Sequence, residues 1–113
     1  MLPAANRLRN GKDFARTTKS GARATSLSLV LYAITHAELS KEPKVGLIVN
    51  KSIGGSVVRH RVSRQLRHLI KDHLVGFPQH SQIVIRVLRN SEDFKSQLDG
   101  LVVQVQKKLL VKS

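Results

Sequence analysis

Two rhythms of apolar and polar positions run along the chain, and they divide it into helices and strands. Val58, Val62, Leu66, Leu69, Ile70 and Leu74 recur at helical spacing, which predicts a long helix from about Ser56 to Val75, ended by Gly76. Phe94, Leu98, Leu101, Val102, Val105 and Leu109 form a second stripe of the same kind. Ser91 is placed to cap that last helix, Glu92 and Asp93 fall in its first turn, and Lys107 and Lys108 close it. A shorter helix is predicted over residues 11–20, with Asn10 as N-cap and Gly21 just past its end. Residues 26–35 follow the other rhythm: Leu27, Leu29, Leu31 and Ala33 point one way, and Val30, Tyr32 and Ile34 the other. Lys44 to Asn50 (KVGLIVN) and Gln82 to Leu88 (QIVIRVL) are short and almost wholly apolar, as buried strands are. His36 to Pro43 is polar and reads as a loop, and Gly54-Gly55 breaks the chain before the long helix.

The predicted order is α-β-β-α-β-α, with room for a further strand: an α/β (α+β) two-layer sandwich with helices on a small mixed sheet. No repeat, linker or low-complexity tract interrupts it, so residues 1–113 are read as one domain. The opening Met1-Leu2-Pro3-Ala4-Ala5-Asn6-Arg7 carries no apolar core of a secretory signal. The longest apolar run, Leu29 to Ile34, falls far short of the roughly 18–20 residues of a membrane span. The chain has no cysteine, hence no disulfide and no thiolate metal site, and a reducing cytoplasm is the expected setting.

Charge changes the picture most. Twenty Lys and Arg stand against seven Asp and Glu, a net charge of +13. So large an excess repels itself in a compact domain, and a polyanionic partner, RNA above all, is the simplest reason to carry it. No acidic residue occurs between Glu42 and Asp72, while that stretch holds Lys44, Lys51, Arg59, Arg61, Arg64, Arg67 and Lys71. On a helical wheel Arg61, Arg64, Arg67 and Lys71, with His60 and His68, fall opposite the apolar stripe; Arg59 projects nearer to it. An ordinary solvated helix face mixes signs to gain i,i+4 pairs, and this one has none to gain. Arginine suits the task because its planar fork binds phosphate oxygens two at a time. A second basic cluster, Arg7, Arg9, Lys12, Arg16, Lys19 and Arg23, opens the chain with only Asp13 among them.

Catalytic chemistry is harder to find. Lys51-Ser52 resembles the end of a phosphate-binding P-loop, but Gly46 stands one residue too close and Asn50 replaces the second glycine. The five histidines (36, 60, 68, 73 and 80) show no i,i+4 metal pair and read as surface or phosphate-contacting residues. The carboxylates are scattered, with no pair suited to acid–base work. Phe14 and Tyr32 are either core residues or platforms for stacking bases.

Residues 45–67, VGLIVNKSIGGSVVRHRVSRQLR, resemble the bacterial ribonuclease P protein subunit: a strand running into a Lys, a Gly turn, and a helix opening with closely spaced arginines. Asn6-Arg7-Leu8, Asp13-Phe14, Leu31-Tyr32 and Val84-Ile85 fall at family-like spacings, so the resemblance spans nearly the whole chain. It implies an endoribonuclease subunit, one protein joined to one catalytic RNA, which together remove the 5′ leader from precursor tRNA with magnesium held by the RNA. It implies that Lys51, Arg59, His60, Arg61 and Arg64 face the RNA subunit, and that Phe14, Tyr32 and Arg67 line a cleft for the single-stranded leader. No protein catalytic residue and no protein-bound metal is implied, and the family fold carries a left-handed strand–helix–strand crossover. The chain departs from the family pattern at His60 (usually Asn), Ser63 (Lys), Ser52 (often Lys) and Thr18 (often aromatic). The readings that compete are a ribosomal or other structural RNA-binding protein, which has no need of the Lys-Gly-Arg-x-Arg arrangement, and a helix-based DNA binder, which needs a recognition helix free to enter the major groove.

Overall fold

The computed structural model describes residues 4–112, with side chains from Ala5 to Leu109; Met1 to Pro3 of the opening segment lie outside the described residues. The elements are α1 (Gly11–Ser20), β1 (Ala22–Thr25), β2 (Leu29–Thr35), β3 (Lys44–Ile48), α2 (Ser56–Lys71), β4 (Ser81–Val87) and α3 (Phe94–Lys112). The four strands form one sheet in the order β1-β2-β4-β3. β1–β2 and β2–β4 are antiparallel and β3–β4 is parallel, so α2 is the crossover that a parallel pair requires.

Strand alternation sorts the side chains into two cores. Leu29, Leu31 and Ala33 of β2, Ile83, Ile85 and Val87 of β4, Val45 of β3 and Ala22 and Ala24 of β1 face one side. There they meet Val62, Leu66 and Ile70 of α2 and Phe94, Leu98, Leu101, Val102 and Val105 of α3. Most of these side chains are completely buried, each worth about 1.5–3 kcal/mol for the larger aliphatics and Phe, so this side anchors the fold. The opposite face carries a smaller cluster of Val30, Tyr32, Val84 and Leu8, with Phe14 of α1 and Ile48 packed against it.

The short helix α1 is held on that second face from three directions. Asn10 Oδ1 accepts from the Lys12 N–H at 2.9 Å and caps it, as its sequence suggests. The buried Thr17 hydroxyl shares its single proton between Asp13 O within α1, at 2.8 Å, and Gln82 Oε1 of β4, at 3.2 Å. The Phe14 ring lies directly over Gly46 of β3, in the space that a β-carbon there would fill. Ahead of α1, Leu8 N–H donates to Val45 O at 2.8 Å and Arg7 bridges Val45 in parallel, so the N-terminal segment extends the sheet beyond β3.

Four local expectations change. The strand expected over 26–35 begins only at Leu29; residues 26–28 form the turn of a hairpin whose other arm is the extra strand β1, and Leu27 stands exposed there rather than facing the core. That turn is fixed from a distance: Gln97 Oε1 of α3 accepts from the Ser26 hydroxyl at 2.6 Å and from the Ser28 N–H at 2.9 Å. The long helix stops at Lys71, four residues short of Val75, and a separate 3₁₀ turn follows over Leu74–Gly76. Ser91 does not cap α3 itself; its hydroxyl accepts from the Asp93 N–H at 3.0 Å, and the helix begins at Phe94 with no acid in its first turn. Beyond Lys107 and Lys108 the helix continues to Lys112.

Candidate nucleic-acid interface

Before α2 the chain makes a 3₁₀ turn, Lys51–Ile53, and reaches Gly54 at φ +153°, a conformation that favours glycine. A β-carbon at Gly54 would also meet Val58 Cβ at 2.9 Å. Gly55 then occupies the N-cap position, offering no side chain to the first helical N–H groups, and the first turn contains no acid. The free amide donors and the positive end of the helix dipole therefore add to the surrounding cations rather than being neutralised.

With Val62, Leu66 and Ile70 buried, His60, Arg61, Arg64, His68 and Lys71 are exposed on the other side of α2, and Lys51 is exposed just ahead of it. His60, Arg61, Arg64, Gln65, Arg67, His68 and Leu69 line one surface groove. A second crevice, of about 210 Å³, separates α2 from the end of β3 and is lined by Leu47, Val49, Ser56, Arg59, His60, Ser63 and Arg67. The Arg59 stem is half-buried there and its Nε is enclosed without a hydrogen-bond partner. Its position on the wheel, nearer the apolar stripe, explains the burial. Arg67 is also half-buried; burial first, and then the positive charge of Arg7, lower its pKa below the ordinary arginine value. Cations are thus gathered along this edge without a carboxylate in the lining of either groove, an arrangement that an anion relieves.

Of the residues expected in the cleft, the structure brings Phe14 and Tyr32 together on the second face of the sheet, in one small cluster. Tyr32 is only 7% exposed and Phe14 half-buried, so both rings also serve as packing. Arg67 lines the crevice beside the end of β3, with Arg59 and His60. Thr18, on the same helix as Phe14, donates its hydroxyl back to the Phe14 carbonyl at 3.1 Å.

Two histidines expected at the surface are structural. His73 Nε2 pairs with Asp99 Oδ1 at 2.8 Å, tying the segment after α2 to α3, and Lys95 Nζ holds the other carboxylate oxygen at 3.0 Å. Asp99 is accordingly held below the usual carboxylate range, chiefly by Lys95 and then by His73. His80, at φ +65°, places Nδ1 2.6 Å from Leu39 O and clasps the loop before β3 to the start of β4. Among the described residues no group of three or more His, Asp or Glu side chains could hold a metal ion. No helix among the described residues is long and apolar enough to cross a membrane.

Sequence reasoning missed Arg86. It is the single exposed residue of β4, an inner strand, and alternation places it on the same face as Tyr32 and Val84. Within the segment QIVIRVL an arginine among six other residues gave no sign of which face it occupies.

The arrangement defines a class: a basic α/β domain in which a cationic helix crosses between two parallel strands and a short N-terminal helix half-covers the opposite face. The same architecture occurs in the ribonuclease P proteins of Staphylococcus aureus (TM-score 0.66, 24% identity, covering 92% of this chain and 88% of that one) and Thermotoga maritima (TM-score 0.61, 20% identity, covering 92% and 91%). Sequence carries the relationship further. The profile of the ribonuclease P family matches residues 2–109. The ribonuclease P protein component of Mycolicibacterium gilvum is 43% identical over 98 residues, spanning 86% of this chain and 79% of that protein. That of Rhodococcus opacus is 38% identical over 108 residues, spanning 87% and 86%. The chain belongs to the ribonuclease P protein component family.

Proposed function

We propose that this chain is the protein subunit of ribonuclease P: it binds the catalytic RNA through the exposed face of α2 and holds the single-stranded 5′ leader of precursor tRNA against the second face of the sheet. The observation that carries the reading is the α2 face itself. Arg61, Arg64, Lys71, His60 and His68 are exposed together, Lys51 precedes them, and the helix opens on free amides and a positive dipole end. Such a surface fits a phosphate backbone, and the family to which the chain belongs supplies the RNA. Arg59 and Arg67 line the crevice at its margin and contact the same RNA from the side, which makes the β3 edge a continuation of the α2 face. Phe14 and Tyr32 present ring edges to the leader while anchoring α1. The protein positions substrate and neutralises phosphates; hydrolysis belongs to the RNA, with magnesium bound there, and the assembly works in the cytoplasm as one protein per RNA.

The test is leader removal by a ribonuclease P RNA at low magnesium, with and without the purified protein. Stimulation that declines as salt rises is the expected result, because each neutralised phosphate releases counterions. No stimulation at any salt concentration would refute the assignment.

A further inference from the structure

The second face of the sheet divides into a covered and an open part. α1 covers one end, with Thr17 on Gln82 and Phe14 on Gly46. Cross-strand register then lays out two rows on this face. Gly46, Val84, Tyr32 and Arg23 form one, running from β3 to β1, and Ile48, Arg86, Val30 and Thr25 form the next. The second row lies farther from the end that Thr17 covers, and there Arg86 is exposed between Ile48 and the nearly buried Val30.

An exposed arginine on a sheet face is ordinary when its neighbours are polar and solvated. Here both cross-strand neighbours are apolar, and no carboxylate pairs with Arg86 or Arg23 among the described residues. The aliphatic stem can lie on Val30 and Ile48 while the guanidinium stands free above them. Arg23 flanks Tyr32 on the far side: it is the cross-strand partner of Tyr32, exposed, on the edge strand β1. Two strand spacings and one two-residue step separate Arg86 from Arg23, roughly 12 Å, with Tyr32 between them. A planar donor fork on either side of an aromatic ring, over an apolar floor, suits a short single-stranded polynucleotide whose phosphates meet the guanidinium groups.

We infer that Arg86 and Arg23 are phosphate contacts for single-stranded RNA laid across the open part of the sheet, and that they set the path of the leader over Tyr32 towards the β1 edge. This rests on the reading that this face holds the leader.

The experiment compares Arg86→Ala, Arg86→Lys, Arg23→Ala and the Arg23→Ala/Arg86→Ala pair in the complex with the RNA subunit. Affinity for precursor tRNA and for mature tRNA is measured across a salt titration, and thermal melting of each protein is followed in parallel. For the precursor, the slope of log affinity against log salt should shallow by about 0.7 for each alanine, the single-strand value per phosphate. Precursor affinity should fall on the order of tenfold per alanine, with mature tRNA unchanged. Arg86→Lys should keep the slope, since it keeps the charge, while losing part of the affinity with the fork. An unchanged slope, or an equal loss for mature tRNA, would overturn the inference. Phe14→Ala run alongside separates the two failures. If it abolishes the preference for precursor while the arginine variants do not, only the path is wrong; if neither disturbs that preference, this face does not hold the leader.

Discussion

Gly46→Ala is a small change whose cost depends on one neighbour, and it tests how α1 is seated. A methyl at Gly46 would occupy the place of the Phe14 ring edge. The backbone there cannot move aside freely, because Gly46 pairs with Val84 of β4 while the adjacent Val45 accepts from Leu8 N–H. The ring must swing out instead, and overpacking of this kind costs about 1–3 kcal/mol. Removing the ring by Phe14→Ala should cost about 2 kcal/mol, somewhat below the range for fully buried aromatics, because Phe14 is half-buried. Once the ring is absent, the three closest contacts of that methyl are gone. Alanine then restricts the unfolded chain more than glycine does, and Gly46→Ala should stabilise the Phe14→Ala protein by about 0.5–1 kcal/mol. The same substitution thus changes sign with its background, a coupling of about 1.5–4 kcal/mol. Urea unfolding of the four proteins measures it, with thermal midpoints moving by about 4 °C per kcal/mol. An equal cost in both backgrounds would show that Phe14 does not rest on Gly46, and with it the placement of α1 over the sheet would fail.

Other substitutions divide between binding and folding. Arg61→Ala or Arg64→Ala should weaken binding to the RNA subunit by about 1–3 kcal/mol and leave the melting temperature unchanged, since both side chains point away from the core; a variant that melts early and still binds normally would refute the face assignment. Gly54→Ala should destabilise by roughly 1–3 kcal/mol through its positive φ and its contact with Val58, and equilibrium unfolding that matches the parent protein would contradict that turn. Asp99, whose pKa is lowered in the folded state, contributes stability that is complete above its unfolded pKa near 4 and lost as pH falls through the lower folded value. The stability gap between the parent protein and Asp99→Asn should therefore narrow as pH drops below about 4, and a gap independent of pH would show that the clamp with Lys95 and His73 is not formed.

What could be read from the chain alone follows the range of the forces involved. α1 and its cap, the α2 stripe and the α3 stripe are local patterns, and the three helices form on those segments, although α2 ends at Lys71, before Leu74, the last residue of its stripe. β1 is Ala-Arg-Ala-Thr, with little intrinsic preference for extended structure, and it becomes a strand because β2 pairs with it residue for residue. Leu27 continues the alternation of β2 on paper; in space Gln97, far along the chain, pins Ser26 and Ser28 into a turn and turns Leu27 outward. His73 and His80 read as surface groups because Asp99 and Leu39, which hold them, are distant in sequence.

The interface divides along the same line. The cations of α2 fall on one face by their spacing alone, because the sixteen residues of a single helix fix their own geometry. Arg67 does not yield to that argument, since its surroundings depend on the β3 edge and on Arg7 from the N-terminal segment. Arg86 is harder still: its significance rests on Val30 and Ile48, contributed by two strands whose register no local pattern encodes. A polynucleotide crossing the sheet meets side chains in that cross-strand order, from β3 through β4 and β2 to β1, and not in the order of the chain. The surface proposed for the leader is therefore a property of the sheet, assembled from strands that are separate along the chain, whereas the surface proposed for the RNA subunit is a property of one helix.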